Sequence, residues 1–347
     1  MKESTLVEIF RSIGKLAVTS VIAAALTVPG LTAAQDATPA LYTPGTDPGS
    51  LSGNITADGS STVFPIAEAL AEEFRAIASD VEVTVDVSGT GGGFERFCAG
   101  ETDISNASRA IKDEEMAACE ATGVNYYEFE IAYDGLSVLV NPDNDWVTCL
   151  TVAQLNQIWM PESTVTQWSD LDASWPAEDI ALYGPGTDSG TFDYFTAEIN
   201  GEEGASRTDY TPSEDDNVLV EGVGGDTNAL GYFGYAYYEQ NQDRLKLVEV
   251  DGGSGCVAPS PETIQDGSYA PLSRPLYLYV NANSLTRPEV QEFLRFSLAE
   301  VSTFIAEVGY VASPPTVYSN DQAKLEAAIA GIGSPDSQTM AEATPDA

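Results

Sequence analysis

The runs VEVTVDVSG (81–89), FERFCAG (94–100), DISNAS (103–108), DEEMAACEATG (113–123) and IAYDGLSVLVN (131–141) decide the fold class. Short β-branched or apolar stretches alternate here with helical ones. That alternation predicts α/β lobes built on a mostly parallel sheet. No repeat of solenoid type interrupts it.

Outward from this stretch, residues 54–333 form one continuous structured region, long enough for two lobes by ordinary domain size. Two strand-like segments, 131–141 and 275–281, are the candidate crossings between them. They imply a discontinuous first lobe, 54–134 plus 274–333, and a second lobe, 135–273. Residues 35–53 (QDATPALYTPGTDPGSLSG) are rich in Pro, Gly, Thr and Ser and read as a flexible leader. The tail 334–347 has similar character and reads as disordered. At the start, Lys2, Arg11 and Lys15 precede an apolar run, 16–26, that is too short to span a bilayer. Small residues follow at Thr32, Ala33 and Ala34, so 1–34 reads as a cleaved secretory signal and the protein as secreted, periplasmic or on the outside of the cell envelope.

An exported chain with four cysteines, Cys98, Cys119, Cys149 and Cys256, is expected to pair them. Of the three connectivities, Cys98 with Cys119 and Cys149 with Cys256 is preferred, one closing a short loop and the other a long one. The chain carries 54 acidic and 14 basic residues, and without the signal its net charge is −41. Nucleic acid is a poor partner for such a surface, because phosphate backbones are held by basic patches. The sequence contains no histidine, which removes His-based triads, the usual zinc sites and most near-neutral general bases. No metal and no cofactor is implied.

The chemistry sits in three turns rich in Ser, Thr and Gly, each placed before a helical segment. They are Asp58-Gly59-Ser60-Ser61-Thr62, Ser88-Gly89-Thr90-Gly91-Gly92-Gly93 and Ser189-Gly190-Thr191. Helix starts expose unpaired N–H groups and a dipole that favours negative charge, hydroxyls add donors, and glycine lets the backbone approach a ligand. Singly, such a turn is more often a plain N-cap. Three converging make a cage of neutral donors for a tetrahedral oxyanion. Arg109, after the strand-like DISNAS, offers a planar fork for two ligand oxygens. Asp134 starts a proposed crossing strand; as an ionised acid it accepts hydrogen bonds only, and so would select an anion that keeps a proton. A structural ion pair of Asp134 or Asp113 with Arg109 is the plain alternative.

The segments DGSSTVFPIAEALAEEF, VSGTGGGFERFCAGETDISNASRAIKDEE, IAYDGLSVLVNP, LYGPGTDSGTFDYF, SEDDNVLVEGV, NALGYFGYAYY and PLSRPLYLYVN closely resemble PstS-type phosphate-binding proteins of ABC uptake systems, in the same order, across 54–333. The resemblance implies the type II periplasmic-binding-protein fold, two α/β lobes joined by a hinge of crossing strands. It implies a monomeric, non-enzymatic receptor that takes hydrogen phosphate into the interlobe cleft and passes it to the membrane permease. It puts Ser61, Thr62, Ser88, Ser189, Gly190 and Thr191 on the phosphate oxygens. Some members have Ser-Asp where this chain has Ser108-Arg109, and an arginine where it has Pro185. Arg109 is thus expected to replace that arginine, with Asp134 or Asp188 accepting the ligand's proton. Three rivals remain open at this stage. An aspartic protease would use Asp188 of Asp-Ser-Gly-Thr, but its required second Asp-Ser/Thr-Gly is missing. A phosphatase would lack a group to activate water. The same fold could also take arsenate, sulfate or molybdate.

Overall fold

The computed structural model describes residues 41–187 and 189–331. The expected signal, the expected tail, Asp188 and residues 35–40 of the expected leader lie outside the described residues. Strand β1 (Gly53–Gly59) leads into α1 (Phe64–Ile77), where Ile66, Leu70 and Phe74 recur every four residues on one buried face. Pro65 fits the first turn because no intrahelical amide is needed there. The same alternation continues through β2 (Val81–Val87), α2 (Gly89–Cys98), β3 (Ile104–Ala107) and α3 (Asp113–Thr122). A long strand, β4 (Tyr126–Val140), follows, then β5 (Cys149–Thr151), α4 (Val152–Trp159), β6 (Ala181–Pro185) and the short α5 (Gly190–Phe195). Next come β7 (Thr211–Ser213), α6 (Asp216–Gly225), β8 (Ala229–Gly234), α7 (Tyr235–Gln240), β9 (Lys246–Asp251), β10 (Cys256–Val257) and α8 (Pro261–Gln265). The described chain closes with β11 (Ser273–Asn281), α9 (Pro288–Phe304) and α10 (Pro315–Gly331).

The strands lie in the order β2-β1-β3-β11-β4-β8-β6-β7, with β9, β10 and β5 paired to the side. Pairing is parallel among β1, β2 and β3 and among β6, β7 and β8. It is antiparallel where β11 meets β3 and β4, and where β4 meets β8 and β9, so the sheet is mixed at its centre. The α/β expectation holds; "mostly parallel" describes only the two flanks.

Two main cores divide the apolar residues. One gathers Ile55, Leu70, Phe74, Ile131, Leu278, Phe293 and Leu325 from β1, α1, the first part of β4, β11, α9 and α10. The other gathers Leu136, Val138, Trp159, Trp168, Phe195, Tyr232 and Val250. Strand β4 belongs to both. Its residues up to Gly135 pair with β11, and its residues from Leu136 pair with β8 and β9. The disulfide Cys98–Cys119 ties α2 to α3, and Cys149–Cys256 ties β5 to β10 on either side of β9.

The leader differs from its sequence expectation from residue 42 onward. Glu292 of α9, fully buried, accepts hydrogen bonds from the Tyr42 hydroxyl (3.1 Å) and the amides of Gly45 (3.0 Å) and Thr46 (2.8 Å), and pairs with Arg295. Asp47 accepts from the Gly49 amide to hold a single turn, and Leu51 is buried. The segment lacks hydrophobic periodicity because hydrogen bonds to one acid and two single apolar anchors, Tyr42 on Phe296 and Leu51 in the core, hold it rather than a continuous apolar face.

Candidate functional site

The ends of β1 and β6 bring two of the three predicted turns together. After β1, the Ser60 amide donates to the Asn106 carbonyl (2.9 Å) and the Thr62 amide to the Ser60 hydroxyl (3.2 Å), which shapes Ser60-Ser61-Thr62 before α1. After β6, Ser189 caps α5 by accepting from the Thr191 amide (3.2 Å). Gly190 approaches so closely that a Cβ there would lie 2.5 Å from Thr62 Oγ1 and 3.1 Å from Ser61 Oγ. Only glycine permits that approach. Ser61, Thr62, Ser189, Gly190 and Thr191 line a cavity of about 400 Å³ together with Asp134, Asp216 and Tyr310.

The third turn sits differently. Val87 lines the cavity, while Ser88 is exposed at the start of α2 without a capping bond of its own side chain. Two glycines of this turn serve the backbone. Gly89 has φ 76°, and a Cβ on Gly93 would come within 2.6 Å of Gly59 Cα. It is Thr90 that reaches inward, its hydroxyl 3.1 Å from that of Ser108.

A second arginine, Arg274 on β11, bonds two residues of the cavity lining, Thr62 and Asp134. It stands opposite Asp134 in the β4–β11 ladder, where one half of the molecule passes into the other. Its Nε and Nη2 donate to Asp134 Oδ2 at 3.1 and 3.0 Å, its Nη2 also to Thr62 Oγ1 at 2.9 Å, and its Nη1 to Ser108 Oγ at 3.3 Å. The guanidinium lies 3.7 Å from the centre of the Tyr194 ring. Tyr194 is itself fixed by its hydroxyl on the Pro271 carbonyl. Burial pushes the Asp134 carboxyl up from its ordinary range, and Arg274 opposes that rise.

Arg109, expected on the ligand, is engaged elsewhere. Its fork donates to both oxygens of Glu115 at 2.7 and 2.8 Å, beside the Phe94 ring, and this partly exposed pair is not part of the cavity lining. Glu115 holds it because the same carboxylate caps α3 by accepting from the Lys112 amide (2.8 Å). Neither Asp113 nor Asp134 is the partner. Sequence reasoning passed over Arg274, although it stands in PLSRPLYLYVN; a lone cation inside a strand-like run was the available signal. It also missed Asp216, Tyr237 and Tyr310. The Tyr310 hydroxyl donates to the Thr62 carbonyl at 2.7 Å, and its neighbour Val311 bridges to Tyr133 of β4.

Residues 43–301 match the family model described as a PBP superfamily domain. The chain belongs to the PBP superfamily, with the PstS and SphX proteins. It is 48% identical to the Protein SphX of Synechocystis over 275 residues, covering 78% of this chain and 82% of the relative. It is 44% identical to the Phosphate-binding protein PstS of Staphylococcus saprophyticus over 282 residues, covering 81% and 86%. Among solved structures, a possible phosphate binding protein from Planctomyces limnophilus is 50% identical with a TM-score of 0.78, covering 80% of this chain and 99% of that one. The type II fold and the PstS-type resemblance read from the sequence therefore hold. The PstS relatives are named for binding phosphate and not for a reaction, and the enzymatic rivals gain no support from them.

Proposed function

We propose that this PBP-superfamily protein captures inorganic phosphate between its two halves and hands it to the membrane permease of an ABC importer. The observation that carries this reading is the contact of Gly190 with Ser61 and Thr62 beside Arg274. Hydroxyl and amide donors from both halves thus meet around one partly buried guanidinium. The hydroxyls of Ser61, Thr62, Ser189 and Thr191 and the amides of the two turns supply neutral donors, and Arg274 supplies the positive charge. Thr90 and Ser108, bonded to each other and through Ser108 to Arg274, add two further hydroxyls. Asp134 holds Arg274 in position and admits an anion that retains a proton more readily than one that has none.

The lobes divide at the β4–β11 ladder, close to 134/135 and 273/274, and close about it as a hinge. The protein acts outside the cytoplasm as a monomer after removal of residues 1–34; among the described residues no helix is long and apolar enough to cross a membrane. The names of its PstS relatives support phosphate as the ligand. Titration calorimetry with phosphate and sulfate tests it: tight phosphate binding with sulfate at least about a hundredfold weaker is expected, and equal affinities would sink the assignment.

A further inference from the structure

Asp216 is the first residue of α6, and its side chain faces the cavity shared by Ser61, Thr62, Ser189, Gly190 and Thr191. Among the described residues no hydrogen bond or ion pair engages its carboxyl, whereas Asp134 in the same cavity is committed to Arg274. The groups around it are mostly anionic or phenolic. Glu214 and Asp215 precede it on the same loop, Asp134 lies across on β4, Tyr237 faces it from α7 and Tyr310 from the segment before α10. Among the described residues the cation bonded to this cavity's lining, Arg274, is already held by Asp134. An ionised carboxylate here would meet a phosphate dianion with no donor between them.

Resting on the phosphate reading above, we infer that Asp216 is a proton-carrying residue of the site: capture of the dianion takes up one proton, held between the Asp216 carboxyl and a phosphate oxygen. A neutral carboxyl donates an O–H···O bond where the charged one can only repel. The proton comes from solvent, so the balance is HPO4 dianion plus ionised Asp216 plus one proton giving the bound pair. The cavity supports this choice: burial first, then Asp215, Glu214 and Asp134, push the Asp216 carboxyl up to about 7, despite its place at a helix start.

The test is titration calorimetry of the full chain with inorganic phosphate at pH 8, in two buffers of different ionisation enthalpy. The buffer dependence of the heat counts protons taken up. About one proton per phosphate is expected for the natural chain and about none for Asp216→Asn. Between pH 7.5 and 9 the affinity of the natural chain should fall about tenfold per pH unit, and that of Asp216→Asn should stay nearly level. Unchanged uptake in Asp216→Asn, or uptake lost in Asp134→Asn but kept in Asp216→Asn, overturns the inference. Absence of phosphate binding by the natural chain at every pH is a different result, and defeats the phosphate reading along with it. Asp216→Ser carries the same comparison if the asparagine variant does not fold.

Discussion

At the scale of the residue, the site turns on one buried pair. Removing Arg274 alone leaves Asp134 charged and unpaired in the interior, a change that costs about 3–5 kcal/mol in comparable buried pairs. Arg274→Ala should therefore lower the melting temperature and lose phosphate affinity together. Removing both partners separates the two effects: Asp134→Ala with Arg274→Ala should recover most of the melting temperature and none of the binding. Arg109→Ala should change phosphate affinity less than about threefold, since a half-exposed pair such as Arg109–Glu115 contributes about 0–1 kcal/mol and no ligand contact is lost. A large loss of affinity in that variant would return Arg109 to the ligand shell. Asp216 gives a pH dependence of stability as well. Its folded pKa is raised from 3.8 to about 7, so the stability it contributes is present below about pH 4 and lost as pH rises towards 7. Without ligand, Asp216→Asn should thus melt several degrees higher than the natural chain at pH 8, and at the same temperature at pH 4.

At the scale of the element, the sequence showed the strands, the helices and two of the three turns, because β-branched runs and Ser/Thr/Gly punctuation are local signals. The choice of arginine was not local. Arg109 and Arg274 both follow or occupy strands, and which one meets the ligand depends on what else competes for each fork: Glu115 three residues from a helix start for one, Asp134 across a ladder for the other. The leader was misread for a related reason. Its hydrogen bonds end on Glu292, about 250 residues away in the chain, and composition carries no trace of them. Glu292→Ala should release residues 41–51 and speed proteolysis there while the rest of the domain resists. By loop entropy, the bridge over 107 residues is worth about 5 kcal/mol and the bridge over 21 about 3. Loss of Cys149–Cys256 should accordingly lower the denaturant midpoint more than loss of Cys98–Cys119; the reverse order would show that local packing, not chain entropy, sets the ranking.

At the scale of the whole molecule, a net charge near −40 surrounds a site for an anion. Such a field slows the approach of phosphate, and salt screens it beyond about 8 Å at physiological ionic strength. The association rate should therefore rise as sodium chloride is added from low ionic strength, the opposite of electrostatic steering; stopped-flow mixing reads it directly. Asp134 lies on β4, which runs from one half into the other, and Arg274 lies beside it at the start of β11. A body that rocks about such a fulcrum moves each point in proportion to its distance from it. On the proposed hinge the rims of the cleft would swing far and the guanidinium little. On that hinge, charge and the Thr62 hydroxyl beside it are already in place for the incoming ion, while the hydroxyls and amides of the Ser189 turn arrive with closure, so encounter and retention fall to different groups. Weakening Thr191 or crowding Gly190 should quicken release with little effect on capture; weakening Arg274 should slow capture too.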